Sequence, residues 1–148
     1  MQVQWADTDE TLKRCFPIIV QLRPHLNLEA FIAQVKRQHA QNGYHVVYAE
    51  DAGCIKSVAG FKIDEMLWRG RILYIDDLVT ESSERSRGYG DHLFTWLVNY
   101  ARSQGCNQVD LDSGVQRIGA HRFYFRKGMH ITSYHFTLKL DDHRKQDL

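Results

Sequence analysis

Asp76 and Asp77 stand side by side in an otherwise apolar run, Leu73-Tyr74-Ile75-Asp76-Asp77-Leu78-Val79-Thr80, and a polar loop ending in Arg85-Ser86-Arg87-Gly88-Tyr89-Gly90 follows it. Two carboxylates in such a strand are costly if buried without a role. Glycine lets backbone N–H groups turn inward and come close to a ligand. A helix beginning at such a loop adds unpaired N–H donors and a partial positive charge. Together these features form an anion site suited to a pyrophosphate, with Arg85 and Arg87 as extra cations. An isolated Gly-x-Gly is also compatible with an ordinary tight turn. The loop is not a P-loop, since no Gly-Lys-Ser/Thr follows. It also lacks the third glycine and the acidic residue some 20 positions on that a dinucleotide fingerprint requires.

The elements that must position these residues follow from periodicity. Val3 to Ala6 reads as a short strand. Asp7-Thr8-Asp9-Glu10 then opens a helix carrying Leu12, Cys15, Phe16, Ile19 and Val20, which Pro17 should bend or divide. Asn27 caps a second helix with the stripe Leu28, Phe31, Ile32 and Val35, ending near Asn42-Gly43. Tyr44 to Glu50 and Cys54 to Ile63 are strands joined by the turn Asp51-Ala52-Gly53, and Arg71 to Thr80 is a third strand after the turn Arg69-Gly70. Leu93, Trp96, Leu97, Tyr100 and Ala101 mark a helix that stops at Gly105, and Val109 to Asp112 is a short strand. A helix from about Gln116 to Lys127 ends at Gly128, and Ile131 to Leu140 reads as a final strand. The order β-α-α-β-β-β-α-β-α-β describes one mixed α/β domain over residues 1–148, hairpins first and crossover helices later.

Two stretches carry a family resemblance. Arg85 to Gly90 matches Gln/Arg-x-x-Gly-x-Gly/Ala, the acetyl-CoA motif of the GNAT N-acetyltransferase superfamily, and it follows a strand and opens a helix. Ala120-His121-Arg122-Phe123-Tyr124-Phe125-Arg126-Lys127-Gly128-Met129 is similar to that family's Ala-x-x-x-Tyr-x-x-x-Gly-Phe helix. The likeness is firm from Leu73 to about Leu140 and only topological before that. It implies a GNAT-like fold, with a mostly antiparallel central sheet, two splayed parallel strands and about four helices. Acetyl-CoA, as co-substrate, would lie between the strand Ile72 to Thr80 and its splayed neighbour Val109 to Ser113. The backbone of Leu78, Val79 and Thr80 would run along the pantetheine. The N–H of Leu78 would meet the thioester carbonyl and stabilise the oxyanion of a tetrahedral intermediate, an effect typically worth ~3–4 kcal/mol. Main-chain donors from Arg85, Ser86, Arg87, Gly88, Tyr89 and Gly90 would hold the pyrophosphate.

The resemblance also places the acid and exposes departures. Tyr124 falls on the family's tyrosine, the usual proton donor to the leaving thiolate; as a side chain between Phe123 and Phe125 it also reads as a core aromatic. Many relatives carry Glu at the position of Tyr74. Asp76 lies two residues on, and strand alternation puts it on the face of Tyr74 and Asp77 on the opposite face. Asp76 is therefore the first choice for general base or ammonium anchor. The alternatives are that the carboxylates bond a loop or a basic side chain, or that water carries the proton away. Arg117 replaces the family's usual Asn and binds a CoA phosphate, pairs with Asp112, or does neither. Ser113 is a candidate partner for pantetheine or substrate. His121 shares a helix side with Tyr124.

The bulk composition limits the partners. Nineteen Lys and Arg against eighteen Asp and Glu leave no field to draw nucleic acid or an anionic membrane. Cys15, Cys54 and Cys106 are scattered, without the spacing of a zinc site or a disulfide framework, so no metal is expected and the thiols read as free. None lies in either motif, which favours direct attack by the amine over an acyl-enzyme. The polar start Met1 to Asp7 does not read as a signal peptide, and no apolar run approaches the ~18 residues of a membrane span; a cytoplasmic protein is expected. Glu65, Asp76, Asp77 and Glu81 suggest a cationic amine acceptor, small molecule or protein amino group. Tyr134, His135 and Phe136 cover a homodimer partner or the acceptor groove, or fill the core. The competing reading is a CoA-binding regulator that has lost catalysis.

Overall fold

The computed structural model describes residues 1–141, in two compact units divided after Leu111. The first, Met1–Leu111, contains β1 (Gln2–Trp5), α1 (Asp9–Leu22), α2 (Leu28–Asn42), β2 (His45–Asp51), β3 (Cys54–Met66), β4 (Gly70–Thr80), α3 (Tyr89–Ser103) and β5 (Gln108–Leu111). Its five strands lie in sequence order, β1 to β4 antiparallel and β5 parallel to β4. Among the described residues, no helix is long and apolar enough to cross a membrane.

Local chemistry accounts for these elements. Thr8 caps α1: its hydroxyl accepts from the Thr11 N–H at 3.1 Å, and the Thr11 hydroxyl accepts from the Thr8 N–H at 3.1 Å. The helix buries Leu12, Cys15, Ile18 and Ile19 and runs on through Pro17. The expected division at that proline does not occur. A proline inside a helix removes one backbone bond and costs about 3 kcal/mol, and the buried stripe on both sides of Pro17 outweighs this. Burial raises the Cys15 thiol to about 12, which fits a packing role. Asn27 Oδ1 caps α2 by accepting from the Ala30 N–H at 2.8 Å, and Gly43 ends it in the left-handed region. Ala52 and Gly53, both at positive φ, close the β2–β3 hairpin.

α1 and α2 cover one face of the sheet. Their core contains Leu12, Cys15, Ile18, Ile19, Phe31 and Val35, packed with Tyr44, Val46, Tyr48, Val58 and Val79. On the other face Phe61 meets Trp5, Trp96 and Tyr100, and Trp96 stacks on Tyr100 one turn along α3 with ring centroids 5.2 Å apart.

The second unit carries α4 (Ile118–Arg126), which begins two residues inside the expected start and is followed by Gly128 in the left-handed region. The strand expected over 131–140 is not formed, and Tyr134 (85 % exposed) and Phe136 (91 %) fill no core. Alternating apolar residues license a strand only where a backbone ladder exists to receive them. Asp112 Oδ2 lies 3.0 Å from His135 Nδ1.

Tyr44 gives the sheet its tightest joint. A side-chain carbon at Gly60 would collide with the Tyr44 hydroxyl and ring, so the two fit only because position 60 is glycine. Gly60→Ala should lower stability by about 1–3 kcal/mol, the usual cost of overpacking a filled core. Urea unfolding monitored by tryptophan fluorescence checks this; an unshifted midpoint would show that Tyr44 has room to move.

Candidate active site

β4 is held on one side along its whole length and on the other along only part of it. Its ladder with β3 runs from Gly70 opposite Met66 to Thr80 opposite Ser57, while its ladder with β5 starts at Ile72 opposite Gln108 and stops at Ile75 opposite Leu111. The backbone from Asp76 to Thr80 thus continues past the end of β5 with one edge outside that ladder. A pantetheine chain, itself a string of amides, can use such an edge as a strand would.

The register slips where the β5 ladder ends. Ile75 pairs with Phe61 and Asp77 with Gly60, leaving Asp76 as an extra residue, a β-bulge. The slip overturns the expectation that Asp76 and Asp77 point to opposite faces. Gly60, beside Tyr44, lies opposite Asp77, and Lys62, two residues on along β3 and opposite Tyr74, reaches Asp76 with its side chain. Asp77 accepts a 2.6 Å hydrogen bond from the Tyr44 hydroxyl and a 2.9 Å bond from Arg23 Nε. Arg23 also donates to the Asp76 backbone carbonyl at 3.1 Å. Lys62 Nζ lies 3.3 and 3.2 Å from the two Asp76 carboxylate oxygens and 5.0 Å from the centre of the Tyr74 ring.

Burial raises the Asp76 carboxyl above its ordinary value against the opposing pull of Lys62, so it is a stronger base than a surface aspartate. Tyr44 is pushed well above the ordinary phenol range, first by burial and then by the Asp77 charge, so it stays a donor. Lys62, Arg23 and Tyr44 were not singled out from the sequence. Lys62 had a visible signal, as the one charged residue in the run Val58 to Ile63, but its meaning depends on the register that sets it beside Tyr74. Of the acidic residues grouped as an acceptor patch, Glu65 lies opposite Arg71 in the β3–β4 ladder near the far end of β4, and Glu81 accepts from Gln21 at 2.7 Å, which lowers its pKa.

Leu78 lies opposite Ala59, and Val79 is buried against α1 and α2. After Thr80 the chain makes a short 3₁₀ turn (Ser82–Glu84) and reaches α3 through Ser86 and Gly88, both at positive φ. Gly88 is the N-cap and brings no side chain to the first N–H groups of α3. Gly90 lies so near β4 that a side-chain carbon there would be 3.0 Å from Thr80 Oγ1. Arg85 and Arg87 are exposed. Glu84, also missed from the sequence, ties the loop down: it meets Lys56 at 2.9 Å and Arg87 at 3.4 Å. Tyr89 donates its hydroxyl to Asp51 at 3.1 Å, and its carbonyl accepts from Ser57 Oγ at 3.3 Å. Uncapped helix donors, a glycine cradle and flanking arginines fit a pyrophosphate.

In the second unit, Arg117 is the N-cap residue of α4 and its N–H donates to the Gly114 carbonyl at 3.0 Å. His121 Nε2 lies 2.8 Å from the same carbonyl, so this histidine braces the turn. Ser113 Oγ is buried without a hydrogen-bond partner among the described residues. Burial raises the Tyr124 hydroxyl above its ordinary value and the Arg117 charge pulls it partly back. The phenol therefore carries its proton at neutral pH.

Comparison with known proteins agrees with this geometry. The family model described as the Acetyltransferase (GNAT) family matches residues 5–130. The uncharacterized N-acetyltransferase YhdJ of Bacillus subtilis is 33% identical over 134 residues, covering 90% of this chain and 89% of its own. Glucosamine 6-phosphate N-acetyltransferase 1 of Oryza sativa is 31% identical over 110 residues, covering 71% of this chain and 65% of its own. Among solved structures, the aminoglycoside N-acetyltransferase AAC(6')-Iy, in complex with a bisubstrate analogue built on CoA, superposes with a TM-score of 0.80 over 95% of this chain and 97% of its own, at 14% identity. A forked β4, a bulge beside the fork and a glycine loop opening α3 thus stand in a chain that belongs to the GNAT acetyltransferase family.

Proposed function

We propose that this protein transfers an acetyl group from acetyl-CoA to a primary amine by direct attack, with residues 1–148 acting as one acetyltransferase domain in the cytoplasm. The observation that carries the reading is the fork: β4 runs on from Asp76 to Thr80 beyond its pairing with β5 and turns into an uncapped, glycine-led helix. Bound there, acetyl-CoA supplies an activated thioester. The N–H groups of Tyr89 and Gly90, with the loop from Arg85, hold the pyrophosphate. The edge of Leu78, Val79 and Thr80 orients the pantetheine arm, and Ser113 and Arg117 are assigned to it by their places in the family pattern. The Leu78 N–H supports the carbonyl oxygen as the amine attacks.

The remaining roles are proton movements. Asp76 accepts the proton that the attacking nitrogen sheds, which its raised pKa favours. Tyr124, assigned by its position in the family helix, gives a proton to the departing sulfur. The acceptor is an amine, as in the rice relative named for glucosamine 6-phosphate. A screen of amines with acetyl-CoA, reading free thiol release, tests the reaction. Saturable CoA binding with no thiol release for any amine would favour a regulator instead.

Two predictions separate donor binding from chemistry. Acetyl-CoA at 100 times its dissociation constant should stabilise the fold by ~2.7 kcal/mol, and Gly88→Asp, which sets a carboxylate at the anion site, should abolish that gain. Calorimetry and thermal melting read both, and binding equal to wild type in the variant would remove the loop from the site. Tyr124→Phe should keep donor binding while acetyl transfer falls ~10²–10⁴-fold. An unchanged single-turnover rate would show that Tyr124 serves packing alone.

A further inference from the structure

We propose that Lys62 selects the acceptor, and that the acceptor is an amine carrying its own anionic group (phosphate, phosphonate or carboxylate) a few bonds from the nitrogen. The inference rests on the reading that the amine is received beside Asp76.

The two aspartates at the bulge are held very differently. Asp77 is locked by short bonds from Tyr44 at 2.6 Å and Arg23 at 2.9 Å. Asp76 has the Lys62 ammonium at 3.2 and 3.3 Å, beyond the roughly 2.7–2.9 Å of a good charge-assisted bond. The Asp76 side chain is 23 % exposed and that of Lys62 21 %, so the pair is part-buried but open to solvent and within reach of a ligand. The groups around it are Asp76, Asp77, Lys62, Arg23, Tyr44 and the Tyr74 ring, two carboxylates against two cations.

An ammonium approaching Asp76 must compete with Lys62 for one carboxylate. If it carries only positive charge, it either crowds two cations together or leaves Lys62 half-buried and unpaired, and both are unfavourable. An acceptor with its own anion changes the count: its ammonium takes Asp76, its anion takes Lys62, and every charge has a partner. The same arrangement repels diamines and polyamines, so Lys62 supplies a repulsive element as well as an attractive one.

The test is calorimetric titration of the full-length protein, in saturating CoA, with 2-aminoethyl phosphate, propylamine and 1,4-diaminobutane as probes, alongside thiol release from acetyl-CoA with each. The wild type should bind 2-aminoethyl phosphate at least tenfold more tightly than either comparison amine. Lys62→Gln should bring that ratio to about one, and Lys62→Arg, which keeps the charge, should restore most of it. Equal or tighter binding of the diamine by the wild type, or a ratio untouched by Lys62→Gln, would overturn the proposal. Lys62-dependent binding without thiol release would sustain the selectivity and defeat the acetyltransferase reading. Thiol release that favours the diamine in wild type and variant alike would do the reverse.

Discussion

The 2.6 Å hydrogen bond from the buried Tyr44 hydroxyl to Asp77 anchors β4 in the register on which the rest of the site depends. Tyr44 reaches the carboxylate only by passing over Gly60, the residue opposite Asp77 across the β3–β4 ladder. Arg23, just beyond α1, closes the other side of Asp77 and binds the Asp76 carbonyl. Asp77 is thereby drawn toward α1 and α2, and Asp76 becomes the unpaired residue of the bulge. A bulge increases local twist and re-aims its side chains. Here it coincides with the end of the β5 ladder at Ile75, so the bulge and the free edge of β4 begin at the same point of the strand.

The glycine loop is built on the strand's continuation. β4 hands the chain through Thr80 to a loop whose turns need positive φ at Ser86 and Gly88, and the close approach of Gly90 to Thr80 sets the start of α3 against the strand end. Glu84 binds Lys56 and Arg87, which fastens the loop to β3. The bond between Lys56 and Glu84 raises the lysine's pKa, so the tether keeps its charge across neutral pH. Loop, strand edge and bulge therefore follow one another along 76–90, all referred to β3.

Much of this was legible in the sequence where a single residue type does a local job. Asn27, Gly43, the Asp51-Ala52-Gly53 turn and Gly128 announced their caps and turns because their backbone demands are short-range. The glycine loop followed from its residues, and the splayed strands from the family resemblance. Alternation along 73–80 failed because a bulge is a property of two strands: Gly60 and Tyr44, far from Asp77 in sequence, decide it. Lys62 and Arg23 stayed hidden for the same reason, each meaningful only through a partner more than a dozen residues away. Of the two outcomes Pro17 allowed, division of the helix does not occur, since tertiary burial of Cys15, Ile18 and Ile19 outweighs a local preference. The strand expected over 131–140 shows the limit of pattern without a ladder.

The central claim is that the bulge divides the two aspartates between structure and chemistry, Asp77 holding β4 and Asp76 taking the proton. It is tested by the pH dependence of kcat/KM for an acceptor that turns over, in wild type, Asp76→Asn and Asp77→Asn. The acid limb of the wild type should report a carboxyl above the ordinary value of about 3.9, since burial raises Asp76. In Asp76→Asn that limb should vanish, the rate should fall ~10²-fold or more, and the remaining activity should rise only toward the acceptor's own pKa. Asp77→Asn should keep the limb and lower the unfolding midpoint. A wild-type profile in Asp76→Asn, with the limb lost in a folded, CoA-binding Asp77→Asn, would contradict the account.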